Sequence, residues 1–374
     1  MNRFLAIMKK EFRHIRRDTL SLGLLVFVPA MLLILYGYAL SFDVKHIRMG
    51  VLDLDRTPPS REFLDSLFQN PYFDRARVLA RLAEADGLLA RGDARAVLVV
   101  PAGFARDLAR GNAVRVQVLV DGSDANTATV AIGYLDALAD RATRKVRLEA
   151  LARAGLPPVV PAVMLEPRIW FNPEVQSAKF LVPGLVAMLM MLSAVVATSL
   201  SIVREKERQT MEQIMVSPVK PAELIIGKTV PYVLIGVVTM ALVLALGYVL
   251  FGVDIRGSYL LLSAATLVFL MAALGMGVLV STITDSQQLA FQVAILVSLL
   301  PSLLLSGLIF PIQNMPMPVQ ALTLLVVPRY FIALLRGIIL KAAPFSALWP
   351  DFAAMLALGL LFNLLAVRKT RKAL

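Results

Sequence analysis

Long apolar runs divide the chain into six predicted membrane spans. The first covers residues 20–40, and at 1.5 Å of helical rise per residue it is long enough to cross a hydrocarbon core of about 30 Å. Because this run is longer than a signal-peptide core and lacks a clear small-residue cleavage site, we expect it to be retained. The other five runs lie at about residues 180–203, 225–251, 259–283, 288–310 and 349–367.

The segment before the first span alternates apolar and basic residues at helical spacing. An apolar stripe at helical spacing is formed by Phe4, Leu5, Met8, Phe12 and Ile15. The basic residues of the same segment are Arg3, Lys9, Lys10, Arg13, Arg16 and Arg17. This pattern predicts an amphipathic helix that lies in the membrane interface.

Hydropathy falls between residues 41 and 178, where short β-like runs alternate with helical ones. The pattern predicts an α/β domain inserted after the first span. Its predicted strands are Arg48–Leu54, Ala76–Leu79, Ala94–Val100, Val114–Val120 and Arg168–Phe171. Its predicted helices are Ser60–Gln69, Ala80–Arg91, Phe104–Arg110 and Ala125–Ala154.

Residues 311–348 are neither a clean span nor a polar loop. Prolines separate two short apolar helices, Val319–Val327 and Tyr330–Leu340, and each is too short to cross a membrane. We expect residues 311–348 to form a re-entrant or interfacial hairpin on the outer face of the membrane. Arg329 and Arg336 lie on it, and we expect them to snorkel to water in preference to meeting lipid or substrate anions.

Composition agrees with a membrane protein. The 374 residues are 58% hydrophobic and 17% charged, with a mean hydropathy of +0.73. The formal net charge is +12, but the basic residues gather at the ends of apolar runs, as the positive-inside rule expects, and do not indicate nucleic-acid binding. The charge distribution predicts that both termini are cytoplasmic and that residues 41–178 are extracytoplasmic.

Few residues in the chain could form a metal site. The chain has no cysteine, so it can form neither a disulfide nor a thiolate site. Its two histidines, His14 and His46, lie on opposite sides of the first span. We therefore expect no metal site.

The charged segment 204–218 between the second and third spans is the most informative feature. The sequence predicts a short amphipathic helix from Ile202 to Met215, with Met211, Ile214 and Met215 on one face. Such a helix could dock into a groove on a soluble partner, or it could be a solvated connector between spans.

This segment resembles the central stretch of the ABC-2 type transporter permeases. The resemblance includes the sequences KFLVPG before it, at residues 179–184, and PAELIIGK after it, at residues 221–228. It implies a mainly α fold of six transmembrane helices, similar to type V exporters, and coupling of the segment to an ATPase. The matching positions are Arg204, Glu205, Glu207, Arg208, Thr210, Glu212, Met215 and Pro218.

No catalytic constellation is recognisable, so we expect the chain itself not to be an enzyme. Residues 222–229 satisfy a permissive P-loop pattern that ends in Lys228 and Thr229, but a membrane span follows where a soluble helix is needed. We therefore expect no cofactor in this chain, with ATP and Mg²⁺ used by a partner subunit.

Polar residues are scarce inside the spans, and no acid lies deep in one. Those present could line a transport pathway, although bonding within or between helices is the more common role of such residues. The candidates for the pathway are Ser193, Thr198, Thr239, Gln288 and Gln292.

The resemblance implies a multi-pass permease of the bacterial inner membrane that exports hydrophobic or amphiphilic compounds, such as drugs or lipid-like cargo. Its implied partners are ABC ATPase subunits, a second permease subunit, and a periplasmic adaptor with an outer-membrane duct. The alternative is a membrane sensor or scaffold whose extracytoplasmic domain binds a ligand. Mutation of segment 204–218 distinguishes the two alternatives. It should abolish ATP-dependent export if the chain is an exporter permease, and it should leave transport-linked resistance unchanged if the chain is a sensor or scaffold.

Overall fold

The chain divides into two compact units. One comprises Met1–Ser41 and Arg168–Leu374, and the other comprises Phe42–Pro167. The computed structural model describes residues 2–40, 46–70, 72–153, 168, 170–173, 176–210 and 221–372.

The first unit is helical. Five of its described helices are long and apolar enough to cross a membrane: α7 (Ser177–Glu207), α8 (Pro221–Phe251), α9 (Tyr259–Thr282), α10 (Gln287–Leu304) and α13 (Phe345–Lys372). Helix α2 corresponds to the predicted first span, and its described apolar stretch, Leu25–Ala39, is shorter than a full span. The helices in chain order are α1 (Asn2–Arg17), α2 (Thr19–Ala39), α7 (Ser177–Glu207), α8 (Pro221–Phe251), α9 (Tyr259–Thr282), α10 (Gln287–Leu304), α11 (Met317–Thr323), α12 (Val327–Lys341) and α13 (Phe345–Lys372).

Helix α7 is the central helix of this unit. Every residue from Leu181 to Met191 is buried, as expected of a helix that is apolar all round and enclosed by other helices. It packs against α2, α8, α9, α10 and α12. Gly277 of α9 permits the close contact with α7, because a Cβ at this position would lie 2.8 Å from the Val195 carbonyl oxygen.

The outer surfaces of the other long helices carry exposed apolar side chains. Val238 and Val249 on α8 and Leu260 on α9 are 61%, 72% and 82% exposed. Apolar exposure on this scale is unfavourable in water and is normal for a surface that faces lipid.

Helices α11 and α12 meet at an angle of 80°, which is the geometry of a broken span or a re-entrant loop. The expectation that Arg336 snorkels to water is wrong. Its guanidinium donates to the carbonyl oxygens of Phe180 (3.3 Å), Gly307 (3.1 Å) and Leu308 (3.4 Å), and it lies 3.7 Å from the centre of the Phe180 ring. The turn after α10 and the first turn of α7 therefore supply the hydrogen-bond acceptors that water would otherwise provide for the guanidinium. Arg329 instead binds the Thr323 hydroxyl.

The second unit is an α/β fold with both faces of its sheet covered. Its strands are β1 (Ile47–Asp53), β2 (Phe73–Val78), β3 (Ala96–Val100) and β4 (Gln117–Val120), in the order β2-β1-β3-β4. β1 pairs in parallel with β2 and β3, and β4 runs antiparallel to β3. Its helices are α3 (Pro58–Phe68), α4 (Ala83–Ala90), α5 (Phe104–Ala109) and α6 (Ala125–Arg153).

Alternation along the strands places two apolar cores on opposite faces of this sheet. Leu98 joins Leu64 of α3 and Phe104 of α5 on one face, whereas Val97 joins Leu88 of α4 on the other. The predicted strands at 48–54, 76–79, 94–100 and 114–120 and the four predicted helices are confirmed within a few residues.

The predicted strand Arg168–Phe171 is wrong where the structure describes it. Residues 168, 170 and 171 are not in a strand, and Phe171 has a φ of 67°, which is incompatible with an extended run.

Candidate functional site

The charged segment that starts at Arg204 continues the central helix. Helix α7 runs to Glu207, and the chain then turns at Arg208 and Gln209, where Gln209 has a left-handed φ of 54°. The prediction of one amphipathic helix from Ile202 to Met215 is therefore wrong, because a left-handed residue interrupts the helical hydrogen bonds. The chain is helical again at Thr210, whose hydroxyl donates to the Glu205 carbonyl oxygen. Of the matching positions, Glu212, Met215 and Pro218 lie outside the described residues.

Glu205 is the centre of a buried ion-pair network. One carboxylate oxygen lies 2.5 Å from Lys228 Nζ on α8, and the other accepts a 2.8 Å hydrogen bond from Lys10 Nζ on α1. Lys228 Nζ also lies 3.6 Å from the Glu11 carboxylate. The Glu11 and Lys228 side chains are each 3% exposed. Since water screens these charges only weakly, their pairing binds α1, α7 and α8 together.

Arg204 and Glu207 extend the network to the start of α10. Arg204 donates to the Asp18 carboxylate at 2.9 Å and to the Gln287 side chain at 3.3 Å. The Glu207 carboxylate accepts from the Gln287 backbone N–H at 2.6 Å and from its side-chain amide. A carboxylate is favourable there, because the first N–H groups of a helix lack partners within the helix. The helix-end cluster comprises Lys10, Glu11, Asp18, Arg204, Glu205, Lys206, Glu207, Lys228 and Gln287.

Lys206 connects the same turn to α9. Its Nζ donates to the carbonyl oxygens of Ser281 (2.6 Å) and Thr284 (3.2 Å), at the end of that helix. A cation suits the free carbonyl groups of a helix C-terminus. The last two turns of α7 are thus bonded to α1, α8, α9 and α10, and to Asp18 between α1 and α2.

A cavity of about 560 Å³ opens beside this cluster. Its charged end is formed by Lys10, Glu11, Asp18, Arg204, Glu205 and Arg208, together with the polar groups of Ser201, Thr210 and Tyr232. Its apolar walls come from α2, α7 and α10: Leu22, Leu25, Val28, Leu32, Leu192, Val196, Leu200, Phe291 and Ile295. Its volume lies within the range of about 300–1,000 Å³ that small-molecule pockets occupy.

The structure disperses the five candidates for a pathway. Ser193 lines the cavity. Thr198 is buried, and its hydroxyl donates to the Ala194 carbonyl oxygen of its own helix. Thr239 is buried, with no hydrogen-bond partner for its hydroxyl among the described residues. Gln288 and Gln292 are exposed on α10.

Sequence reasoning missed Glu11, Asp18 and the partners of Lys228. A signal for Glu11 was present, because it lies three residues after Met8 and four before Ile15 and therefore falls on the apolar stripe of α1. A charge at such a position requires a buried partner. Lys228, the lysine of the P-loop-like pattern, is that partner and is held by two carboxylates. The described residues contain no group of three side chains suited to a metal ion.

Comparison with known proteins places this architecture in a family. The profile of the ABC-2 family transporter proteins matches residues 19–368. The chain belongs to the ABC-2 transporter family. This ABC-2 chain is 34% identical over 370 residues to the "Probable multidrug ABC transporter permease YbhS" of Escherichia coli K12, and the match covers 99% of this chain and 97% of that protein.

Two further Escherichia coli K12 proteins match over nearly their full lengths. The "Probable multidrug ABC transporter permease YbhR" is 27% identical over 96% of this chain and 95% of its own. The "Inner membrane transport permease YhhJ" is 29% identical over 97% of this chain and 95% of its own. The ABC-2 chain is thus a multi-pass membrane permease.

Proposed function

We propose that this ABC-2 chain is the membrane subunit of an ATP-driven exporter of hydrophobic or amphiphilic compounds. A separate ATPase subunit would use ATP and Mg²⁺ and would act on segment 204–218. The names of the relatives YbhS and YbhR support multidrug export as the general activity.

The observation that carries this proposal is the continuity of α7. The helix passes without a break from its buried centre into Arg204–Glu207. The helix-end cluster bonds these last turns to four other helices and to Asp18 between α1 and α2. A force applied to the following segment would therefore act on α7 and its neighbours together, because packed interiors move as rigid elements.

We propose the topology and assembly that this function requires. The helix-end cluster and both termini would be cytoplasmic, and the α/β unit would be extracytoplasmic, in agreement with the positive-inside rule. Two permease subunits would pair in the membrane. The α/β unit would meet a periplasmic adaptor that leads to an outer-membrane duct.

Affinity purification of the full chain from mild detergent, with mass spectrometry and an ATPase assay of the eluate, tests the proposal. We expect a P-loop ATPase to co-purify and the Met215→Asp variant to lose it. Met317 on α11 is 85% exposed and is the matched control, so Met317→Asp should retain the ATPase. Recovery of folded chain without any ATPase would instead favour the sensor or scaffold.

A further inference from the structure

The cavity beside the helix-end cluster has the shape of a site for a molecule with one polar end. Its lining runs from Asp18, the residue before α2, to Leu32 on α2, which is 14 residues of sequence separation and roughly 21 Å of helical rise. The charged groups lie at one end, and the remaining length is walled mainly by leucine, isoleucine, valine and phenylalanine, together with Ser193 and Ala197. A polar end of a few ångströms followed by an apolar slot fits a head group with a hydrocarbon tail.

The charges at the polar end favour an anionic head. The three acids are already paired: Asp18 with Arg204, Glu205 with Lys10 and Lys228, and Glu11 with Lys228. Lys10, Arg204 and Arg208 line the cavity, and the buried Lys228 lies behind the lining, so these four bases stand against three acids.

Arg208 carries the excess positive charge. It lines the cavity, its side chain is exposed, and no ion pair to it exists within the described part of the chain. The neighbouring Glu207 carboxylate attracts Arg208 electrostatically, but its hydrogen bonds come from the two donors of Gln287. Among the described residues of the lining, an incoming cation would meet no unpaired acid, whereas an incoming anion would meet Arg208 and the Lys10 side chain, which is 54% exposed.

We propose that this cavity binds an anionic amphiphile, with its head at Arg208 and its tail between α2, α7 and α10. The inference rests on the proposed exporter function, because the bound amphiphile would be its cargo. It narrows the proposed cargo to amphiphiles with a negative head group, in preference to amphiphiles that have the same tail and a positive head group.

Tryptophan quenching on the full chain in zwitterionic nanodiscs tests the proposal. In a chain carrying Trp170→Phe, Trp349→Phe and Phe291→Trp, the single tryptophan lies in the cavity wall one turn beyond Gln287. The probes are 6-bromododecyl sulfate and 6-bromododecyltrimethylammonium, which have the same tail and opposite permanent charges. A second chain that retains only Trp349, which is 56% exposed on α13, reports probe dissolved in the bilayer.

We expect saturable quenching by the sulfate probe. After correction for partitioning of each probe into the bilayer, its half-quenching concentration should be at least about fivefold below that of the ammonium probe. Arg208→Gln should abolish this difference. Arg13→Gln should preserve it, because Arg13 is an exposed arginine of α1 that does not line the cavity.

Two cavity variants separate binding from surface charge. Ala197 lines the cavity, so Ala197→Phe should remove saturable quenching, whereas Ala241→Phe on the exposed face of α8 should not. Equal quenching by both probes, or a preference that survives Arg208→Gln, would overturn the proposal. The assay contains no ATPase, so its result stands apart from the co-purification test of the exporter function.

Discussion

Lys228 and Glu205 form an ion pair at 2.5 Å, with side chains only 3% and 14% exposed. The two residues lie on α8 and α7, at the helix ends that flank segment 211–220 in sequence. Glu11 of α1 approaches the same Lys228 nitrogen at 3.6 Å. The pair therefore fixes both ends of the charged segment to the N-terminal helix.

We expect Lys228→Met to destabilise the chain strongly. The substitution keeps the side-chain length but leaves Glu11 and Glu205 buried near each other with only Lys10 to compensate, and breaking a buried pair in this way costs about 3–5 kcal/mol. The loss of stability is measured as a lower midpoint of thermal unfolding in mild detergent, with unfolding monitored by size-exclusion chromatography.

A triple variant provides the internal check on this interpretation. Lys228→Met combined with Glu11→Gln and Glu205→Gln removes the uncompensated charges and should recover most of the stability. Lys369→Met, at an exposed position on α13, should be nearly neutral. If Lys228→Met were as mild as Lys369→Met, the buried network would contribute little to holding α1 in place.

The sequence identified the apolar helices but not the packing of their polar ends. Hydropathy and length suffice for α7 to α10 and α13, because a bilayer requires long apolar helices. The turn at Gln209 could not be predicted, because glutamine has no preference for a left-handed φ and tertiary bonds to Gln287 and Lys228 fix the end of α7.

Arg336 of α12 is expected to hold the turn after α10 against α7. Its guanidinium serves three backbone carbonyl groups, and Arg336→Met leaves these acceptors without a charged donor, at roughly 1–3 kcal/mol for each buried group. Leu308 is fully buried, and the segment around it should then open more often.

The absence of native cysteine makes this opening measurable. In a Leu308→Cys chain, maleimide labelling should be slow, and adding Arg336→Met should accelerate it. Arg256→Met is a matched control. In the described part of the chain, Arg256 makes no hydrogen bond to Gly307 or Leu308. Unchanged labelling in the Arg336→Met background would mean that packing alone closes this region.

Asp55 should make the α/β unit sensitive to acid. Its carboxylate accepts from the Thr57 hydroxyl (2.5 Å) and from the backbone N–H groups of Gly103 (2.7 Å) and Ala105 (3.0 Å). The hydrogen bond from Thr57, followed by those from the backbone, lowers the pKa of Asp55 below its usual value of 3.8.

The sign of the effect follows from this lowered pKa. The folded state binds the Asp55 proton more weakly than the unfolded state, so the stabilisation is complete above a pH of about 4 and is lost as the pH falls through the folded pKa. Hydrogen exchange of the α5 amides at pH 7 should be faster in Asp55→Asn than in wild type, and the difference should shrink near pH 3. Asp136→Asn, on the exposed surface of α6, should match wild type at both values.

The α/β unit shows how far alternation can predict a structure. The buried strand β3 was evident because Val97, Leu98 and Val99 form an apolar run, and both faces of a parallel sheet are covered. The role of Asp55 was less evident, because the N–H groups that it binds come from α5, about 50 residues later in the chain. The charged cavity was not predicted either, since its lining comes from α1, α2, α7, α8 and α10 together.

Cysteine accessibility also tests the proposed topology. Single cysteines replace Ser123 in the α/β unit and Lys369 near the end of α13, both exposed positions in a chain with no native cysteine. In cells with a permeabilised outer membrane, a membrane-impermeant maleimide should label the Ser123→Cys chain at once and the Lys369→Cys chain only after lysis. This follows because the basic residues near the C-terminus favour the cytoplasmic side. Labelling of both chains before lysis, or of Lys369→Cys alone, would place the α/β unit or the C-terminus on the wrong side for the proposed exporter.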